Sequence, residues 1–167
     1  MYKLLVLCFA SMALAACSSQ TRTMSDDERR ADVLLMASVD ALGRRDYTQA
    51  LRSLLDALKY DPKSAIIWTN LGVAYAGKNE PQKAEECWKK ALQLDPKHND
   101  ARLNLGILYS GKKKYPEAEK VLKEASKDIA YPKLDQVSYH LANMYLALGK
   151  NLLAEQQLKV AVRENKG

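Results

Sequence analysis

Residues 65–98, AIIWTNLGVAYAGKNEPQKAEECWKKALQLDPKH, limit the folds open to this chain more than any other stretch. Trp68, Leu71, Gly72 and Tyr75 are followed by Ala84, Trp88, Ala91 and Pro96, so marked positions recur three and four apart in two runs with a polar break between them. That period puts the apolar side chains of each run on one face of a helix. Gly72, Ala84 and Ala91 are small enough for two paired helices to approach closely, and Pro96 cannot continue the second helix. The spacing therefore predicts a helix-turn-helix unit of 34 residues. One such unit cannot cover its own apolar face, so it requires neighbours of the same kind.

The neighbours are present. One period back, Leu34, Ala37, Ser38 and Ala41 are followed by Ala50, Leu54, Ala57 and Pro62. One period forward, Arg102, Leu105, Gly106 and Tyr109 are followed by Ala118, Leu122 and Ala125, with Pro132 two residues late. A last unit reads Ser138, Leu141, Ala142, Tyr145, Ala154, Leu158 and Ala161 at an offset of 36, which places the two extra residues within 127–132. The chain divides into units of about 31–64, 65–98, 99–134 and 135–167, with helices predicted at 26–44, 47–60, 64–77, 81–94, 98–111, 115–129, 133–148 and 151–164. Ser25 with Glu28 three residues on is a capping-box spacing, and Asp26 and Asp27 put negative charge in the first turn.

This pattern resembles the tetratricopeptide repeat. The resemblance implies an all-α solenoid of about four units wound as a right-handed superhelix, its concave face lined by the first helix of each pair. It also implies the inward positions: Leu35, Val39 and Leu42, then Ile66, Thr69 and Val73, then Leu103 and Ile107, then Tyr139, Asn143 and Leu146. Most are apolar, which suits an amphipathic helix or an extended apolar segment. Asn70 and Asn104 stand where some relatives place a carboxylate clamp, but Leu35 and Val39 bring no Lys or Asn to complete one. The two asparagines read as structural hydrogen-bonders.

The first residues are an address. Met1 to Lys3 is a short positive start, Leu4 to Met12 an apolar run too short to span a bilayer, and Leu14-Ala15-Ala16-Cys17 its close. The layout is that of a secretory signal, and its ending resembles the lipobox of bacterial lipoproteins. That resemblance implies a signal over 1–16, cleavage before Cys17, lipidation of Cys17 with acyl chains that hold the protein on a membrane, and a tether over 17–25. Ser18, in place of Asp, implies sorting to the outer membrane, on its periplasmic face.

Charge and chemistry-bearing residues narrow the function. The formal charge is +6, from 26 basic and 20 acidic residues in alternation. No basic-aromatic recognition stretch supports nucleic acid, and Lys112, Lys113 and Lys114 fall in an inter-helix turn. Cys8 goes with the signal and Cys17 with lipid, leaving Cys87, which reads as a small packed residue beside Trp88. His98 and His140 are isolated, without metal-ligand spacing or a triad partner, and no P-loop, G-x-S-x-G or H-E-x-x-H occurs. No catalytic residue, metal or cofactor is expected, and the chain reads as a non-enzyme.

Lipobox and repeats together resemble the outer-membrane pilotins of type IV pilus systems. The sharpest likeness is the irregular junction, where Leu122, Glu124, Ala125, Ser126, Asp128, Tyr131 and Pro132 match that family's L-x-E-A-S-x-D-x-x-Y-P. The resemblance implies a lipoprotein that binds secretin subunits and promotes their outer-membrane delivery or multimerisation. A scaffold for peptidoglycan-processing or other envelope complexes is the alternative. Similar pilotins carry about six units, so Leu152, Leu153, Leu158 and Val162 on the last helix either turn inward or form a second contact site, for self-association.

Overall fold

Eight helices and no strand make up residues 24–165, the part of the chain described by the computed structural model. They are α1 (Asp26–Gly43), α2 (Tyr47–Tyr60), α3 (Ala65–Gly77), α4 (Pro81–Leu94), α5 (Asn99–Gly111), α6 (Tyr115–Ala125), α7 (Leu134–Ala147) and α8 (Asn151–Glu164). The signal, Cys17 and most of the tether lie outside the described residues.

Local chemistry sets the boundaries. The capping box forms: the Glu28 amide donates to Ser25 Oγ at 3.1 Å and the Ser25 amide to Glu28 Oε2 at 2.7 Å. Each pair of helices reverses through one left-handed residue at the same slot, Arg45, Asn79, Lys113 and Gly149, with φ of 60°, 60°, 57° and 68°. Between units, Asp61 and Asp95 each cap the turn by accepting from the amide two residues on, Lys63 at 3.2 Å and Lys97 at 2.9 Å.

The third connection differs from expectation. α6 ends at Ala125 rather than at 129. The Ser126 hydroxyl bonds back to the Lys123 carbonyl at 2.9 Å, and Asp128 caps its own turn by accepting from the Ala130 amide at 3.1 Å. Both interactions give the backbone an alternative to helix. The longer loop is pinned to α5, with Asn99 Nδ2 donating to Asp128 at 2.9 Å, and the Tyr131 hydroxyl and Lys133 Nζ to Asp100 at 2.6 and 2.7 Å. The two extra residues therefore make a specific joint.

Each helix packs against the next in sequence. The first helices of successive units also touch one another, α1 on α3, α3 on α5 and α5 on α7, while the second helices do not. Closer packing along one side curves the array and makes the first-helix side its inner face. Two apolar clusters run through it, one centred on α1 to α4 and one on α3 to α8, and Trp68 and Tyr75 pack against both. Within the second unit the Trp88 indole covers Gly72, where an added Cβ would stand 2.4 Å from Nε1. Trp88 Nε1 donates to the Thr69 carbonyl at 3.0 Å. In the third unit Leu122 lies over Gly106 in the same way, also 2.4 Å from an added Cβ. The glycines are there for close approach, as the sequence predicts.

Candidate functional site

The inner face of α3, α5 and the start of α7 forms a cavity of about 350 Å³. Ile66, Thr69 and Val73 come from α3 and Leu103 and Ile107 from α5, so the structure brings together five of the inward residues. Ile66 and Ile107 are exposed at the lip, while Thr69 and Leu103 are buried and form the floor. Thr69 is held by its own helix, its hydroxyl donating to the Ala65 carbonyl at 2.8 Å.

The other inward residues separate from these. Leu35 and Leu42 pack against the first core cluster, and Val39 is exposed on α1. Asn143 and Leu146 are exposed on α7, and Tyr139 lines a second cavity of about 320 Å³ with His140, Leu158 and Val162. Among the repeat-signature positions, Leu71, Gly72, Ala84, Trp88, Ala91, Leu105, Gly106, Tyr109, Ala118 and Ala125 are buried. Trp68 and Tyr75 are half-buried, and Pro96 and Pro132 sit exposed in the inter-unit connections.

The groove is more polar than the expected apolar strip. Asn70, Asn104, Asp100, Lys133, Gln136 and His98 also line it. Asp100 and Gln136 occupy the slot of Ile66 one and two units on, and carrying that slot through the repeat would have found both. Asn70 and Asn104 are not the structural hydrogen-bonders expected, since neither carboxamide has a hydrogen-bonding partner among the described residues. Both remain free to donate and accept. At the far end, burial works to raise the Asp100 pKa, but the Lys133 ammonium and the Tyr131 hydroxyl prevail and hold its carboxyl below the usual range.

On the opposite, outer side, Leu55, Leu58, Trp68 and Tyr75 line an apolar cleft floored by Cys87. Burial pushes the Cys87 thiol up to about 12, so it is a packed, unreactive residue, as expected. Among the described residues no group of three or more His, Cys, Asp or Glu could hold a metal ion, and no helix is long and apolar enough to cross a membrane.

A repeated polar stitch ties successive units together. Glu85 on α4 accepts from Lys89 at 2.8 Å, from Lys112 on the next unit at 3.0 Å and from the Tyr109 hydroxyl at 3.2 Å. Glu119 on α6 repeats it with Lys123 at 2.6 Å and the Tyr145 hydroxyl at 2.9 Å. The Lys89 hydrogen bond is the main cause that draws the Glu85 pKa down to about 2, against partial burial and with help from Lys112 and Tyr109. Because the folded-state value lies below the ordinary 4.5, the carboxylate contributes its stability above about pH 4.5 and loses it as pH falls toward 2. Glu85→Gln is expected to lower stability at pH 7 and to flatten the loss between those values. Urea midpoints from pH 7 to pH 2, followed by circular dichroism, measure this; parallel pH profiles for the two proteins would contradict it.

Comparison with known families and structures fits this geometry. Models of the tetratricopeptide repeat match residues 65–98 and 88–130, and a further repeat model of the same class matches 44–79. PilF of Pseudomonas aeruginosa superposes with a TM-score of 0.81 at 30% identity, over 85% of this chain and 64% of PilF. PilW, a widely conserved type IV pilus biogenesis factor, superposes at 0.76 with 25% identity, over 81% of this chain and 62% of PilW. The chain thus spans less than two thirds of either protein's length. The first repeat domain of Spaghetti (RPAP3), solved with an HSP90 peptide, shares the fold at 0.66 and 21% identity, over 72% of this chain and 94% of that one. No curated protein sequence matches the chain.

Proposed function

This chain belongs to the tetratricopeptide-repeat family, and on that premise we propose that it is an outer-membrane lipoprotein that binds subunits of the type IV pilus secretin and promotes their localisation or multimerisation. Repeats of this kind hold partner proteins, and the superposition on PilF is the observation that carries the reading to pilus biogenesis. The likeness to PilW and the junction at 122–132 support it.

The groove supplies a binding mechanism without chemistry. Ile66, Val73 and Ile107 offer an apolar seat for side chains of an extended segment, and the carboxamides of Asn70 and Asn104, one repeat apart, can donate to and accept from its backbone. Acyl chains on Cys17 would hold that groove at the periplasmic face of the outer membrane. Tether and groove then combine through raised effective concentration.

Deleting the gene tests the reading in the cell. SDS-resistant secretin multimers are expected to fall and monomers to accumulate on gels of whole membranes. Multimers at the wild-type level would overturn it.

A further inference from the structure

The two ends of the array leave bare the same slots that every internal joint buries. Leu54, Trp88 and Leu122, at one slot of α2, α4 and α6, are 0, 4 and 0% exposed, while Leu158 at that slot of α8 is 37% exposed. At the partner slot, Ile67, Ala101 and Val137 of α3, α5 and α7 are 1, 0 and 0% exposed, while Val33 of α1 is 66% exposed. Val162 on α8 and Met36 on α1 extend the bare surface at each end. The C-terminal residues do not turn inward.

One internal joint, between α4 and α5, also carries a charge pattern, whereas Leu148 takes the slot of Lys112 at the joint of α6 with α7. Glu85 pairs with Lys89 on its own helix and with Lys112 on the first helix of the next unit. Two units on, Glu155 pairs with Lys159 at 2.7 Å in the same way, and among the described residues no following helix supplies the third member. The residue of α1 at the slot of Lys112 is Arg44, an exposed cation held only by Asp40 of its own helix. The register is fixed by the joint between α2 and α3, where Gly77 lies over the Tyr47 ring and Lys78 Nζ donates to Thr48 at 3.2 Å.

We propose that copies of this chain associate head to tail, α1 of one copy docking on α8 of the next as α3, α5 and α7 dock within the array. Val33 and Met36 then cover Leu158 and Val162, and Arg44 completes the Glu155–Lys159 pair. The contact is heterologous, so it builds open chains rather than a closed dimer. Ala37 stands where the internal joints carry Leu71, Leu105 and Leu141, and Asp40 where they carry Ala74, Leu108 and Met144. The joint is accordingly weaker than an internal one and depends on concentration.

Sedimentation of the purified full chain in mild detergent tests the proposal. The mass is expected to rise with concentration beyond that of a dimer. Val33→Glu blocks the head and Leu158→Glu the tail, both at exposed positions, with circular dichroism checking that each folds. Each variant alone is expected to stay monomeric, while an equal mixture, which keeps one good head and one good tail, gives a dimer and nothing larger. Arg44→Glu is expected to abolish association and Arg44→Glu/Glu155→Arg to restore it. A wild-type chain that stays monomeric, a Val33→Glu chain that still dimerises through its tail, or a mixture that does not dimerise would each overturn the proposal.

Discussion

Trp88→Ala is expected to destabilise the array by about 3–5 kcal/mol, the usual cost of removing a large buried aromatic. The indole is 4% exposed, fills the space left by Gly72 and satisfies its own N–H on the Thr69 carbonyl. In a solenoid each unit leans only on its neighbours, so the damage also separates the two apolar clusters that meet at the second unit. Urea unfolding followed by circular dichroism is expected to change from one transition to two, the first at a much lower midpoint. A single transition displaced by less than about 1 kcal/mol would mean that the ring is not what locks the unit.

The second large effect concerns location. Cys17→Ala is expected to leave the eight helices folded, since both apolar clusters lie within α1 to α8. It removes the only residue the lipobox offers for acylation. Each buried methylene contributes about 0.8 kcal/mol, so losing several acyl chains should move the protein almost wholly from the membrane pellet to the soluble periplasm. The tether's contribution to effective affinity, about 10²–10⁴, goes with it, and secretin multimers should fall although the groove is intact. Fractionation and an SDS gel read both effects. A Cys17→Ala protein retained in the outer membrane would contradict the lipid anchor.

The architecture was legible in the sequence because repeats write the same constraint several times. Small residues opposite large ones, as at Gly72 with Trp88 and Gly106 with Leu122, leave a period that one unit alone would not show. The left-handed turn residues were not legible. Arg45, Asn79 and Lys113 have no common side-chain type, and only their shared slot connects them to Gly149. The early end of α6 was missed for a related reason. Ser126 and Asp128 are tolerable in a helix by period alone, and what draws them out is hydrogen bonding that includes Asn99, 29 residues away.

The groove was half legible. Its apolar members follow from the repeat, but Asp100 and Gln136 are polar residues at the slot of Ile66, Lys133 comes from the N-cap of α7, and a search for apolar inward positions passes over all three. Leu35 and Leu42 lie outside the cavity. They occupy inward slots of the first unit but pack against the core there, so the groove begins at α3.

That this groove holds the partner is tested most directly by titrating the purified secretin subunit with wild-type chain and with Ile107→Glu. Ile107 is exposed at the lip, so the substitution leaves the fold intact while placing a carboxylate in the apolar seat beside Ile66 and Val73. Losing that seat and burying an unpaired charge is expected to weaken binding by tenfold or more, about 1.4 kcal/mol at the least. Equal affinities for the two proteins, with both folded, would place the partner elsewhere and contradict binding in the groove.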